Sequence, residues 1–283
     1  MLTLYRSNRA EFLATLLARQ LVEERPGPFE TVEVLVNTWP TSRWLGEQLA
    51  VANGISSLVR FPFPGSRFRQ LVRSLLDLPD REDDPWRATT LVWTVLDLLP
   101  ELLEQPAAAP LRDWLQQRSG AASGLTRDRW QLARAIADAF DDYALYRPET
   151  LQRWVEAADG NGDWQPLLAR QLADALPRQP FGWQVQAAVE RLRSGAVDAS
   201  VLPPVLRMFG ISSLAPVQVQ LIQALSGSVD VQVYLLTPCR DLWQRCGTRR
   251  QQLGDAWTVP PDGLWLQQAP RLEATLGRMG AEF

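Results

Sequence analysis

Thr31-Val32-Glu33-Val34-Leu35-Val36 runs straight into Asn37-Thr38-Trp39-Pro40-Thr41-Ser42-Arg43. The first six residues are mostly β-branched and bounded by polar positions, which predicts a short buried strand. The next six read as a loop, and residues 43–52 as a helix. Upstream, Phe12, Leu13, Leu16, Leu17 and Leu21 recur at helical spacing. Asn8 is placed to cap that helix, and Pro26-Gly27-Pro28 stops it. Helix, strand, loop, helix is the way a parallel α/β domain begins.

Residues 55–65 hold a second short strand and a turn, with a helix from about Ser66. Residues 80–84 form an acidic linker. Helical patterns then follow one another at 86–104, 110–117, 126–146, 149–157, 164–176 and 181–194, punctuated by Pro and Gly. Strand character returns at 204–211. A helix at 215–226 carries Pro216 near its start, and a last strand covers 229–236. Strand, helix, strand without a tight hairpin is a βαβ unit. The expected architecture is an α/β parallel sheet interrupted by a large all-helical insertion. It divides into residues 1–80, 81–197 for the insertion, and 198–283 for the return to the sheet. No internal repeat of fixed period is visible, and the tail after Pro238 reads poorly.

The 283 residues are 46% hydrophobic, enough for a sizeable core, and the formal net charge is −3. All 29 basic residues are Arg, with no Lys and no His. Arg presents a permanently charged planar fork suited to phosphate and to flat rings; GC-rich coding explains the same bias. Lack of His excludes Ser–His and Cys–His nucleophiles. Lack of Lys excludes a P-loop lysine and a Schiff base. Cys239 and Cys246 are too few for a disulfide framework, and without His they make a poor zinc site. The N-terminus lacks the apolar run of a signal peptide. No stretch reaches the roughly 20 apolar residues that span a bilayer. A cytoplasmic location without membrane contact is the expectation.

The strand-to-helix turn after Val36 is where a nucleotide-binding fold places its phosphate loop, with Gly for close approach and Lys for charge. Here it has neither. Pro40 removes an amide donor, and Trp39 fills space that a phosphate needs. The strand ending Met208-Phe209-Gly210-Ile211-Ser212-Ser213 lacks the acidic residues a motor uses for Mg²⁺ and water. Two absences at the expected places fit a decayed motor domain. They also fit a fold that never was one.

Several blocks resemble the RecC family, the gamma chains of exodeoxyribonuclease V (RecBCD). These are Leu4-Tyr5-Arg6-Ser7-Asn8-Arg9, Phe61-Pro62-Phe63-Pro64, and Phe140-Asp141-Asp142-Tyr143-Ala144-Leu145-Tyr146-Arg147-Pro148. Further along come Phe209-Gly210-Ile211-Ser212-Ser213-Leu214-Ala215-Pro216-Val217, Thr237-Pro238-Cys239-Arg240-Asp241-Leu242-Trp243, and the last eight residues from Leu276. They occur in order across nearly the whole chain. The resemblance implies a degenerate superfamily 1 helicase-like, P-loop-like fold and a role in double-strand break repair and recombination. It implies RecB-like and RecD-like partners, double- and single-stranded DNA, and ATP and Mg in those partners with no cofactor in this chain. It implies a subunit of exodeoxyribonuclease V without an intact ATPase or nuclease site of its own. Family members are far longer, so the chain is expected to correspond to an N-terminal part.

Three groups of candidate contacts follow. In the family, the turn after the first strand borders a single-strand tunnel and carries residues that read the Chi sequence; here those positions hold Asn37, Trp39 and Arg43. The best-known members carry amides and hydroxyls there, so this chain departs from the pattern. Physically, Asn37 suits a base edge, Trp39 a base face and Arg43 a phosphate. The bland alternative makes Trp39 and Trp44 packing residues. The second group is Arg60, Phe63, Arg67, Arg69 and Arg73, Arg alternating with aromatics as along a strand path, or else a salt-bridged helix face. The third is Asp138, Asp141 and Asp142, on one side of a helix whose other side carries Ala133, Ala137, Phe140 and Ala144. In the family this stretch lines the tunnel. A solvated face and a metal-dependent nuclease site are the alternatives. The competing overall reading is a helical scaffold that binds a helicase partner without touching DNA.

Overall fold

The computed structural model describes residues 1–24, 26–27, 29–79, 84–119, 124–156, 162–211 and 213–237. Cys239, Cys246, the block from Pro238 to Trp243, the final eight residues and all but Asp84 of the expected linker lie outside them.

The chain divides into two compact units. Among the described residues, the first comprises those within 1–71, 197–214 and 218–237. Its sheet contains β1 (Leu2–Ser7), β2 (Val32–Leu35), β3 (Val59–Arg60), β4 (Val205–Phe209) and β5 (Asp230–Leu236). They lie in the order β1-β5-β4-β2-β3, and every neighbouring pair is parallel. The expected parallel α/β sheet is therefore present. The sequence reading omitted its edge strand, β1. Leu2-Thr3-Leu4-Tyr5-Arg6-Ser7 is short and half-buried, and what makes it a strand is pairing with β5, each partner lying 229 residues away in sequence (Leu2 with Val231, Ser7 with Leu236).

The helices of this unit are α1 (Ala10–Glu24), α2 (Trp39–Asn53), α3 (Pro64–Leu75, whose last turn leaves the unit) and most of α10 (Pro216–Leu225). Asn8 does not cap α1; the Ser7 hydroxyl accepts the Arg9 amide at 3.0 Å instead. α2 starts at Trp39, four residues before the expected point. Thr38 is its N-cap, and Pro40 sits in the first turn, where a missing N–H costs nothing. Gly54, at φ +80, closes the helix in the left-handed conformation that a side chain would strain.

Strand alternation decides which side chains α1 and α2 cover. Val34, Val36, Phe209 and Tyr234 are buried with Leu13, Leu17, Leu21, Leu45 and Leu49. Tyr5 pairs with Tyr234 across β1 and β5, and Tyr234 with Phe209 across β5 and β4. Their rings stack at 5.0 and 6.1 Å, and Trp44 of α2 extends the row at 6.0 Å from Phe209.

Beside the aromatic row lies a polar one. The Tyr234 hydroxyl donates to Gln20 Oε1 and also lies within hydrogen-bond distance of Gln232 Oε1. Gln20 Nε2 donates to the Tyr5 hydroxyl at 2.8 Å, and Gln232 Nε2 to Asp230 at 2.8 Å. Arg207, opposite Gln232 in the ladder and buried, forms an ion pair with Glu24 at the end of α1. Buried polar groups have to be paired, and these pairs fix how α1 lies on the sheet.

The second unit, residues 72–196 with 215–217, is helical. It contains α4 (Ala88–Glu104), α5 (Ala109–Ser119), α6 (Arg127–Tyr146), α7 (Pro148–Glu156), α8 (Trp164–Ala175) and α9 (Phe181–Arg193). Its core joins Leu91, Val95 and Leu102 of α4 to Ala133, Ile136 and Phe140 of α6 and Leu168 and Leu172 of α8. Burying each large apolar side chain contributes about 1.5–3 kcal/mol. Trp86 is buried and donates its indole N–H to the Arg178 carbonyl at 2.8 Å. Gly182 lets α9 approach α6: a Cβ there would stand 2.5 Å from the Ala144 carbonyl oxygen and 2.6 Å from Pro148 Cβ.

Candidate nucleic-acid interface

The turn between β2 and α2 lies at the carboxyl end of β2. Thr38 has extended backbone, and its Oγ1 accepts the Thr41 amide at 3.2 Å. The Ser42 amide donates to the Thr38 carbonyl at 3.1 Å, and Pro40 has none to give. The amides that open α2 are thus largely consumed by the chain itself. The sequence reading missed Thr38, although Thr followed two residues later by Pro is a helix-start signature.

Asn37 is exposed. Trp39 is 74% exposed, and its ring meets Phe63 edge-on, centroids 5.7 Å apart. Trp44, next on the same helix, is the packing residue of the two. One residue of the first candidate group and one of the second therefore form a single aromatic step. β3 and the following Pro62 bring Phe63 there: the Pro62 carbonyl accepts the Val36 amide at 3.2 Å. Arg43 projects into solvent beside Glu47, 3.4 Å away.

Arg67, Arg69 and Arg73 of α3 are partly buried, while Arg60 of β3 is exposed. Arg67, with a side chain 16% exposed, places Nε 2.8 Å from Glu33 of β2 and donates to Gln70 at 2.9 Å. Arg69 donates to the Gly65 carbonyl at 3.3 Å. The Glu33 pair ties α3 to the sheet, while the bonds to Gln70 and Gly65 stay within the helix.

Asp138, Asp141 and Asp142 belong to the helical unit. Asp138 and Asp142 are exposed, on the side of α6 away from buried Ala133, Ala137, Phe140 and Ala144, but Asp141, one turn from Ala137 and Ala144, borders the buried face and is half-buried, so the three do not share one outward face. Asp138 pairs with Arg134 one turn away at 3.1 Å. Asp141 Oδ2 accepts the Ala88 amide at 3.0 Å, at the first residue of α4. Asp142 is exposed. Among the described residues, no group of three or more His, Cys, Asp or Glu is placed to hold a metal ion. None of their helices is long and apolar enough to cross a membrane.

A family model described as RecC, N-terminal domain, matches residues 2–283. The RecBCD enzyme subunit RecC of Escherichia coli is 31% identical over 255 residues, covering 86% of this chain and 22% of that one. The protein of the same name from Mycolicibacterium smegmatis is 32% identical over 254 residues, covering 89% and 22%. That of Haemophilus influenzae is 28% identical over 271 residues, covering 86% and 24%. The chain thus spans less than a quarter of the length of these relatives. The ordered blocks, the parallel sheet with its helical unit and a match along nearly every residue lead to one conclusion: the chain belongs to the RecC family, within that family's N-terminal domain.

Proposed function

We propose that the chain is a non-catalytic, DNA-handling part of a RecBCD-type exonuclease and helicase. In this reading it works in the cytoplasm in double-strand break repair and recombination, beside RecB-like and RecD-like partners that carry ATP and Mg. It guides an unwound single strand, and its fold descends from a superfamily 1 motor. The observation that supports this most is the β2–α2 turn. A nucleotide fold offers free amides, Gly and Lys at that place. Here Pro40, the Thr38–Thr41 bond and the absence of Gly and Lys remove that cradle, and an exposed indole takes its place.

A helical scaffold without DNA contact is the second reading. It is favoured by the internal commitment of Arg67, Arg69, Asp138 and Asp141. Co-purification of the full chain with a RecB-like subunit, followed by fluorescence anisotropy with a labelled single strand at two salt concentrations, separates the two. Salt-weakened binding with no ATP hydrolysis by the chain alone is the expected result. Partner capture without any DNA binding would select the scaffold. An ATP analogue seated against the Thr38–Ser42 turn in a crystal would end both readings.

A further inference from the structure

We infer that the face of the helical unit built on Trp93 of α4 and Trp130 of α6 docks another protein chain. Its occupant is a basic segment of a partner subunit, with an arginine or lysine set on the Trp93 indole. The inference rests on the part of the reading above that gives the chain partner subunits, not on DNA handling.

The apolar centre of the face is well defined. Trp93 leaves 58% of its surface to solvent, although Leu91, Val92 and Val95 around it on α4 are buried. Trp130 stands against it with ring centroids 5.2 Å apart and planes tilted by 54°. Trp130 is itself packed on the helical core, so the exposed indole has a fixed base. Leu125, 71% exposed, precedes the N-cap Thr126, and Trp130 is the fourth helical residue, the spacing of an apolar pair that brackets a helix start. Tryptophan held in place at the surface is what protein interfaces concentrate.

Charge selects the partner. Asp97, Glu101 and Glu104 follow Trp93 on its side of α4, and all three are exposed. No ion pair among the described residues involves them, and α4 has no basic residue of its own. Asp97 with Glu101, and Glu101 with Glu104, stand at spacings where like charges repel. The two glutamates also occupy the last turn, at the negative end of the helix dipole.

The nearby arginines do not cancel this charge. Arg112 of α5 donates to the carbonyls of Leu103 and Gln105, and Arg118 lies over Trp114. Arg129 donates to the Gly124 carbonyl, and Arg134 pairs with Asp138. Exposed Arg87 precedes the opposite end of α4. Exposed Arg127, at the start of α6, is one charge against three.

A cation over the face of an indole, with a carboxylate one turn away, satisfies both groups. The same carboxylates disfavour other occupants. Nucleic acid would bring phosphate charge to an acidic ridge, and a second copy docking through this face would set one such ridge against another.

The test uses the full-length chain in complex with RecB-like and RecD-like subunits, with Trp93 replaced by the photo-cross-linker p-benzoylphenylalanine. The expected product joins position 93 to a partner-subunit peptide that has an arginine or lysine beside the attachment point. A cross-link only to the chain's own polypeptide, to a second copy or to DNA would overturn the inference. Affinity for the cross-linked subunit gives the second measurement. Trp93→Ala is expected to weaken it roughly 30-fold or more, as truncation of an interface hot spot does. Asp97→Arg with Glu101→Arg should weaken it about tenfold or more at low salt, because like charges then face each other, and the difference should shrink as salt rises. These positions are exposed, so unchanged circular dichroism and thermal midpoint will show that the variants fold. Affinities within threefold of the parent for both variants would overturn docking at this face while leaving the complex intact. A loss confined to Trp93→Ala would overturn the basic character of the partner. If the unaltered chain captures neither subunit, the multi-subunit reading falls and this inference with it.

Discussion

Asp141 of α6 accepts the backbone amide of Ala88, the first residue of α4, at 3.0 Å. In sequence Asp141 reads as one of three acidic residues on an outward helix face. In the fold it caps another helix, because α4 and α6 pack side by side and the opening amides of α4 have no partner within their own helix. Arg87, the residue before α4, supplies no side-chain cap.

Asp141→Ala is therefore expected to destabilise the helical unit by about 1–2 kcal/mol, the usual cost of losing a helix cap. Asp142→Ala should stay within about 0.5 kcal/mol of the parent, as exposed substitutions do. Urea unfolding followed by circular dichroism compares the two. Equal midpoints would show that the Asp141 bond contributes nothing.

Arg67→Ala should lower stability by about 1–2 kcal/mol, since the half-buried pair with Glu33 is only partly screened by water. Its effect on single-strand affinity at 20 °C should stay below threefold, because that guanidinium is turned toward Glu33. An affinity loss of tenfold or more with an unchanged unfolding midpoint would place Arg67 on the ligand.

Glu24→Ala should cost about 2–3 kcal/mol, because it strands the buried Arg207. The figure is below the 3–5 kcal/mol of a fully buried pair, as Glu24 is partly exposed. Adding Arg207→Met should recover most of the loss, since an apolar chain of similar length needs no counter-charge. A double variant less stable than Glu24→Ala alone would show that Arg207 has another essential partner.

Burial pushes the Tyr234 hydroxyl above its ordinary titration range, with the nearby Tyr5 adding to the effect. The folded state holds this proton more tightly than the unfolded chain does. The contribution is fully present below the unfolded value near 10 and is lost as pH rises above it toward the folded value. The chain should accordingly lose stability above pH 10. Tyr234→Phe should be less stable at pH 7 by about 1–2 kcal/mol, since Gln20 and Gln232 lose a partner. It should also show a shallower alkaline decline. Parallel declines in thermal midpoint between pH 9.5 and 11 would assign the effect to other tyrosines.

Gly182→Ala puts a methyl group where the Ala144 carbonyl and Pro148 already stand. Overpacking of this kind costs about 1–3 kcal/mol. Thermal melts should show a lower midpoint, and a variant melting with the parent would mean that α9 shifts freely.

Periodicity and punctuation carried most of the fold. The βαβ return at 204–236 and the run of helices between the strands follow from local patterns that need no partner to be recognised. β1 and the first turn of α2 did not follow. Leu2–Ser7 becomes a strand only because β5 arrives to pair with it. Trp39-Pro40 looks like loop until Thr38 is recognised as a cap. The candidate site divides in the same way. The residue types at Asn37, Trp39, Phe63 and Arg67 can be read along the chain, but where each side chain is spent cannot.

The sequence by itself determined the layered α/β class, the family and the absence of Lys and His chemistry, because these depend on residue identity and short-range order. Only the tertiary structure decided that Trp39 stands exposed against Phe63 while Trp44 is packed, that Arg67 belongs to Glu33, and that Asp141 belongs to Ala88. The physical reason is that a polar or aromatic side chain takes whichever partner the packing of distant segments brings within a few ångströms, and spacing along the chain does not encode that distance.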